Sequence, residues 1–360
     1  MALTLLIAAG GTGGHLFPGI AVADELRRRE PAARVVFVGT PRGLESRLVP
    51  RAGYALALLP ILPLNGVGFA RMLRGLAALP WAFVRAAVLV LRERPRAVLG
   101  IGGYAGGPLA LIAALMGVRT VILEPNAKPG FTNRVLRPFA AAAACSYEET
   151  RRLFGKKGVV TGNPVRGGFA RLPRRAPGTP ARVLAFGGSQ GSRVLNRALV
   201  DALPHLPAGV RLVHQTGPVM QAEVEAAYRA RGRDDEVLAF LDDMERRFDQ
   251  ADLIVCRSGA TTCAELTAAG KPALLVPFAQ AADDHQRWNA QALQAAGAAR
   301  MLEERDLTGH SLAAAITELL ADAQRLLAMQ DAARALGRPD AAAAVADLLL
   351  DAQPRAVPRV

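Results

Sequence analysis

Residues 3–9 form an apolar run interrupted only by Thr4, after which the chain turns through Gly10, Gly11, Thr12, Gly13 and Gly14 into a helical pattern reaching about Arg29. The same order of strand, glycine loop and helix recurs. Residues 35–38 make a second apolar run, and 97–101 a third that ends in the Gly-Gly-Tyr-Ala-Gly-Gly loop at 102–107. Strands that are apolar throughout and separated by helices predict a parallel sheet covered on both faces. After Asn163 and Pro164 the stretch 167–180 is crowded with Gly, Pro and Arg and reads as a linker. The opening pattern then returns, with a strand at 182–186, the loop Gly187, Gly188, Ser189, Gln190, Gly191, and a helix through about Leu203. A further strand at 252–256 leads through Arg257, Ser258 and Gly259 to a helix ending near Ala269 and a strand at 273–276. The expected fold is α/β, with two doubly wound, Rossmann-like domains facing a cleft and ligands at the carboxyl ends of both sheets. The expected boundaries are 1–165, 166–340, and a C-terminal helix with a loose tail over 341–360.

Two apolar stretches could be mistaken for membrane elements. Residues 97–118 carry no charge and are long enough to span a bilayer. Their central glycines fit a strand, a turn and a helix better than one continuous helix, so no transmembrane segment is expected. The first run lacks a basic segment before it and leads into glycines, which suits a strand rather than a signal peptide.

Composition narrows the picture only slightly. Lys and Arg number 44 against 31 Asp and Glu, a net charge of +13. That balance points to an anionic partner, whether nucleic acid, an acidic membrane or a phosphorylated substrate, and charge alone does not choose among them. The three cysteines, Cys145, Cys256 and Cys263, form neither a CxxC pair nor an even framework, which predicts structural thiols in a reducing compartment.

Glycine loops between a strand and a helix let backbone approach phosphate, where the helix start offers free N–H groups and a positive dipole. Thr12-Gly13-Gly14, Ser189-Gln190-Gly191 and the turn from Ser258 to Thr262 are three such places. A dinucleotide-binding oxidoreductase would need a third glycine in the first loop and an acid at the end of the second strand. The chain has Leu16 at the first place and Val38-Gly39-Thr40 at the second. A P-loop kinase is excluded, because no G-x-x-x-x-G-K-[ST] is present. Glu265 falls one helical turn after Thr261, where a carboxylate can accept two hydrogen bonds from a ribose diol beside a helix-bound diphosphate.

These residues resemble the MurG family, transferases that add N-acetylglucosamine to undecaprenyl-diphospho-N-acetylmuramoyl-pentapeptide in peptidoglycan synthesis. The likeness runs through Gly10 to His15 with Phe17-Pro18-Gly19, Gly102-Gly103-Tyr104, Glu124-Pro125-Asn126 and Gly162-Asn163-Pro164-Val165-Arg166. It continues through Gly187 to Gly191, Phe240 to Met244, Cys256 to Ala260 with Glu265, and Asp284-His285-Gln286 with Asn289. The resemblance implies a GT-B architecture, with the acceptor on the first domain and UDP-N-acetylglucosamine mainly on the second. It implies that Thr12, Gly13 and Gly14 approach the reacting diphosphate and sugar, and that Gly11, Gly103 and Tyr104 meet the acceptor. Asn126 and Gln286 would hydrogen-bond the N-acetylglucosamine, while Arg166 and the Leu241 backbone would hold the uracil side. Ser189 and the turn Ala260, Thr261, Thr262, Cys263, Ala264 would take the diphosphate, and Glu265 the ribose. Leu241 and Cys263 stand where other small or aliphatic residues can occur in the family, a variation that contacts through backbone tolerate.

On this reading one inverting displacement transfers the sugar to the acceptor's C4 hydroxyl as UDP leaves. His15, able to take a proton near neutral pH, is the candidate base, its plainer role being a hydrogen bond to the loop or the acceptor. No D-x-D signature occurs, and neither a metal nor a cofactor is expected. The partners implied are the nucleotide sugar, the undecaprenyl-linked acceptor, an anionic membrane surface and other cell-wall or division proteins, with no nucleic acid. A transferase using another nucleotide sugar or a diacylglycerol acceptor, and a non-catalytic binder of nucleotide or acidic membrane, are the competing readings.

The expected location is the cytoplasmic face of the cell membrane, held peripherally. Residues 69–91 predict two helices divided at Pro80, with Phe69, Met72, Leu73, Leu76, Phe83, Val84, Ala87 and Leu91 forming a mostly core-facing stripe. Trp81 lies off that stripe with Arg71, Arg74 and Arg85, and an aromatic among arginines suits an anionic bilayer surface. Phe69 joins these four as a membrane candidate.

Overall fold

The computed structural model describes residues 3–10, 13–41, 44–61 and 69–351. Gly11, Thr12 and the tail beyond Asp351 lie outside the described residues, as do the side chains of Phe69, Arg71, Arg74 and Tyr104. The chain divides into two compact units, Met1–Arg166 with Arg338–Val360, and Gly167–Gly337.

The first unit is built on β1 (Thr4–Ala8), β2 (Arg34–Gly39), β3 (Ala55–Leu58), β4 (Ala97–Gly100), β5 (Arg119–Glu124), β6 (Ala142–Cys145) and β7 (Gly158–Val160). They pair in parallel in the order β3-β2-β1-β4-β5-β6-β7. The intervening helices are α1 (Gly13–Arg29), α2 (Glu45–Arg51), α3 (Phe69–Glu93), α4 (Gly103–Leu115), α5 (Phe131–Leu136) and α6 (Glu148–Phe154). The central strand has no polar alternation because both its faces are covered. Leu5 and Ile7 enter the core on one side of the sheet, and Leu6 and Ala8 the core on the other.

The second unit carries β8 (Ala181–Phe186), β9 (Val210–Gln215), β10 (Glu236–Leu238), β11 (Leu253–Cys256), β12 (Ala273–Leu275) and β13 (Ala299–Met301). Its parallel order is β10-β9-β8-β11-β12-β13. Its helices are α7 (Arg193–Ala202), α8 (Gln221–Ala230), α9 (Met244–Gln250), α10 (Ala260–Ala269), α11 (His285–Ala295), α12 (Gly309–Ala321) and α13 (Ala323–Leu336). The last helix, α14 (Ala341–Leu350), belongs to the first unit. Its Val345, Ala346, Leu348 and Leu349 complete the core beside Leu5 and Ile7. Arg29 of α1 donates to Asp347 (2.5 Å) and to the Ala343 carbonyl (3.1 Å), and Arg119 donates to the Leu348 carbonyl (2.8 Å).

The helix after β3 corrects the reading of residues 69–91. It is one helix, with Pro80 inside it and exposed. Among its described side chains, which leave out Met72, Leu73 and Leu76, those it buries are small: Gly75, Ala82 and Ala86, with Val90. Val84 and Leu91, expected in the core, are exposed together with Val88 and Trp81. The periodicity was correct and its phase was not, because close packing selects small residues for the seam while large apolar residues occupy the opposite side. Residues 97–118 resolve into β4, a glycine turn and α4, and among the described residues no helix is long and apolar enough to cross a membrane.

Candidate active site

Strand order reverses between β1 and β4 in the first sheet and between β8 and β11 in the second. Ligands of doubly wound sheets bind outside the carboxyl ends of the strands at this switch point. The chain's glycine loops sit at both.

In the first unit, the loop after β1 runs into the start of α1 with Gly13, Gly14 and His15. The loop after β4 meets it. Gly102 and Gly103 have φ of +82° and +69°, conformations that L side chains resist. Gly103 packs against His15, where a Cβ would stand in ordinary contact at 3.4 Å from His15 Cε1 and 3.5 Å from the Gly10 carbonyl, and it is the positive φ rather than lack of space that favours glycine there. The α4 axis comes equally close to β1, where a Cβ on Gly106 would lie 3.3 Å from the Ala8 carbonyl. Arg166 belongs to this unit, with its guanidinium 5.1 Å from the centre of the Phe17 ring.

The next strand, β5, ends in Glu124, which is buried and raised in pKa by that burial. Hydrogen bonds from Asn133, Asn126 and Gly130 oppose the shift. Oε1 of Glu124 accepts from the backbone N–H and side-chain amide of Asn126, both at 3.1 Å. The Thr150 hydroxyl donates to the carbonyls of Asn126 (2.9 Å) and Ala127 (2.8 Å), fixing the same turn from α6.

In the second unit, the loop after β8 lies flat on the turn after β9. A Cβ on Gly191 would fall 1.9 Å from the Thr216 carbonyl oxygen, and one on Gly217 2.2 Å from that of Gln190. Backbone therefore crosses backbone, leaving Ser189 exposed at the tip. Ser192 caps α7 by accepting from the Leu195 N–H (3.4 Å).

The turn after β11 is tied to that loop by Arg257, which is 7% exposed. Its Nε and Nη2 donate to Ser192 Oγ at 3.2 and 2.7 Å. Its Nη1 donates to the Val276 and Pro277 carbonyls, each at 3.1 Å, and to Glu304 Oε2 at 2.5 Å. One guanidinium thus joins the segments following β8, β11, β12 and β13. Ser258 donates from Oγ to the Gln286 carbonyl (2.8 Å), Asn289 donates to the Ser258 carbonyl (3.2 Å), and Gln286 Oε1 accepts from the Phe278 N–H (3.1 Å). Helix α10 then starts at Ala260, with Thr261 and Glu265 both buried along it.

Several residues named from sequence fall together here: Ser189 at one loop tip, Ala260 to Glu265 along α10, and Gln286 beside the α10 entry. The side chains of Leu241 and Cys263 point into the core, leaving backbone as what these positions can offer a ligand. The three cysteines are buried and unpaired, with their thiols pushed upward by burial. Sequence reasoning quoted Arg257 and Glu124 within motifs without giving them a task. The signal was a charged residue set directly after the buried apolar run of its strand.

Residues 5–145 match the Glycosyltransferase family 28 N-terminal domain and residues 182–345 its C-terminal domain. The chain is 46% identical to the UDP-N-acetylglucosamine--N-acetylmuramyl-(pentapeptide) pyrophosphoryl-undecaprenol N-acetylglucosamine transferase of Myxococcus xanthus, over 97% of this chain and 93% of that one. The protein of the same description from Citrifermentans bemidjiense is 45% identical over 97% and 99% of the two chains. The crystal structure of Acinetobacter baumannii MurG superposes with a TM-score of 0.80 at 32% identity, covering 97% of this chain and 99% of that one. Two parallel doubly wound units of this kind constitute the GT-B type of fold. The chain belongs to glycosyltransferase family 28, in the MurG branch of that family.

Proposed function

We propose that the chain transfers N-acetylglucosamine from UDP-N-acetylglucosamine to the C4 hydroxyl of undecaprenyl-diphospho-N-acetylmuramoyl-pentapeptide, with inversion at the anomeric carbon. The observation that carries this reading is the meeting of the Ser189 loop and the α10 entry through Arg257, with Glu265 on α10, in a chain so similar to transferases of that description. Amides at the loop and the helix start receive the diphosphate, and Glu265 the ribose. Gln286 and Asn126 hold the sugar, Arg166 and the backbone at Leu241 the uracil. The first unit receives the acceptor through the loops carrying His15 and Gly103.

In the reaction the acceptor oxygen attacks the anomeric carbon from the face opposite the diphosphate. Its proton passes to His15 as the new C–O bond forms, and the bond to the β-phosphate oxygen breaks. Charge grows on the departing UDP, where oriented amides and the α10 dipole stabilise it in place. The acceptor's lipid requires work at a membrane surface, and we assign docking to the exposed face of α3 with Trp81 and Arg85, at the cytoplasmic side.

A donor screen tests the reading. Purified protein with the lipid acceptor should use UDP-N-acetylglucosamine in clear preference to UDP-glucose and UDP-N-acetylgalactosamine. Equal use of the three, or transfer to diacylglycerol in place of the diphospho-lipid, would overturn it.

A further inference from the structure

The carboxylate of Glu124 sits at the centre of the segment that follows β5. It is 1% exposed, so it does not itself meet a substrate. Its Oε1 accepts from Asn126 twice, and its Oε2 accepts from the Gly130 N–H and the Asn133 side-chain amide, both at 2.9 Å. The Asn133 amide also donates to the Leu123 carbonyl (2.9 Å) and packs under Gly102, where a Cβ would stand 3.4 Å from its nitrogen. Gly102 precedes the glycine that lies against His15, and Thr132 donates to that glycine's carbonyl at 3.3 Å. One buried carboxylate therefore sets the turn carrying Asn126 and supports the turn facing His15.

The polarity of this arrangement has a chemical consequence. A carboxylate only accepts, so the nitrogen end of the Asn126 amide must face Glu124 and the oxygen end must face the other way. We propose that Glu124 is a positioning residue for sugar recognition: it fixes Asn126 as a hydrogen-bond acceptor, which selects a donor such as an acetamido N–H or a hydroxyl on the transferred sugar. The inference rests on the reading that Asn126 meets the donor sugar. It separates Glu124 from proton transfer, since a buried carboxylate filled by internal donors has no route to the acceptor hydroxyl.

The exchange of polarity between the two residues provides the test. In Glu124→Gln an N–H₂ replaces one oxygen and confronts the Asn126 or Asn133–Gly130 donors. In Asn126→Asp two carboxylates confront each other. In Glu124→Gln/Asn126→Asp the new glutamine amide donates to the new aspartate, which again presents an oxygen outward, while the backbone N–H of residue 126, which shared that oxygen, loses its acceptor. Donor KM, the inhibition constant of UDP, the preference for UDP-N-acetylglucosamine over UDP-glucose, and thermal melting are measured for all of these and for Asn126→Ala. Each single exchange should raise the donor KM about tenfold or more and shrink the sugar preference. UDP inhibition, which does not involve the sugar, should stay within about twofold, and the double exchange should lose less in KM and melting temperature than the two single exchanges added together. If the singles fold poorly, a less-than-additive loss in the double exchange still carries the result. Additive losses in the double exchange, or a native KM in Glu124→Gln while Asn126→Ala loses donor binding, would overturn the inference and leave the reading of Asn126 standing. A native KM in Asn126→Ala would overturn both.

Discussion

Replacing Arg257 by Met keeps most of the side chain's bulk and removes its charge and donors. Both partners of the Arg257–Glu304 pair are largely out of water, at 9% and 18% side-chain exposure. Removing one member of such a pair strands the other, at a cost of about 3–5 kcal/mol. The Val276 and Pro277 carbonyls and the Ser192 hydroxyl lose a donor at the same time. For a unit the size of Gly167–Gly337, each kcal/mol is worth about 2–4 °C, so the second unit should melt about 6–20 °C lower. Arg211→Met is the control, since its pair with Asp234 is exposed and should cost at most about 1 kcal/mol. Calorimetry on both variants, followed by UDP binding at a temperature where both are folded, separates stability from site alignment. Arg257→Met should also bind UDP more weakly, because the Ser192 tie between the two loops proposed to receive the diphosphate is gone. If it melts with Arg211→Met and binds UDP normally, Arg257 does not join these loops in the way described.

Other expectations follow from the same contacts. Glu265→Ala should raise the donor KM by about 1.5–3 kcal/mol of lost hydrogen bonding to a charged group, with the melting temperature recorded alongside. His15→Ala should lower kcat about 10²–10⁴-fold with little change in donor binding, and a near-native kcat would reduce His15 to a loop residue. His214 is fully buried between the Tyr228 hydroxyl (3.0 Å) and Asn196 Oδ1 (3.1 Å), and burial lowers its pKa to about 3. The unfolded chain therefore takes up this proton first, so the contribution is complete above about pH 6.5 and falls as pH drops toward 3, with about 2 kcal/mol lost by pH 5. His214→Gln should flatten that part of the stability profile measured by urea unfolding. Trp81→Ala/Arg85→Glu should weaken binding to anionic vesicles and activity on the full-length lipid acceptor while sparing a short-chain soluble acceptor. Equal loss on both acceptors would place docking elsewhere.

Much of the architecture was legible because the two sheets are buried on both faces. Strands such as Leu253–Cys256, and Thr4–Ala8 after its first residue, are apolar at every position, and glycines mark the turns that follow. The turn into α10 was legible for the same reason, as sequence order alone places Thr261 and Glu265 one turn apart. The phase of α3 was not, because its buried seam of Gly75, Ala82 and Ala86 is less apolar than its exposed Val84, Val88 and Leu91. The two polar hubs were also hidden. Arg257 lies 65 residues from Ser192 and 47 from Glu304, and only the strand order brings these three together. Glu124 sits close to its partners in sequence, yet nothing in local spacing reveals that its carboxylate turns inward rather than toward a ligand.

The central claim is the identity of the bond made. Purified protein, UDP-N-acetylglucosamine labelled at the anomeric carbon and undecaprenyl-diphospho-N-acetylmuramoyl-pentapeptide in mixed micelles should yield one equivalent of UDP for each lipid-linked disaccharide. The new linkage should be β to the muramoyl C4 oxygen, read by mass spectrometry and the anomeric coupling of the labelled carbon. UDP release without the disaccharide, an α linkage, or attachment at another oxygen would contradict the account.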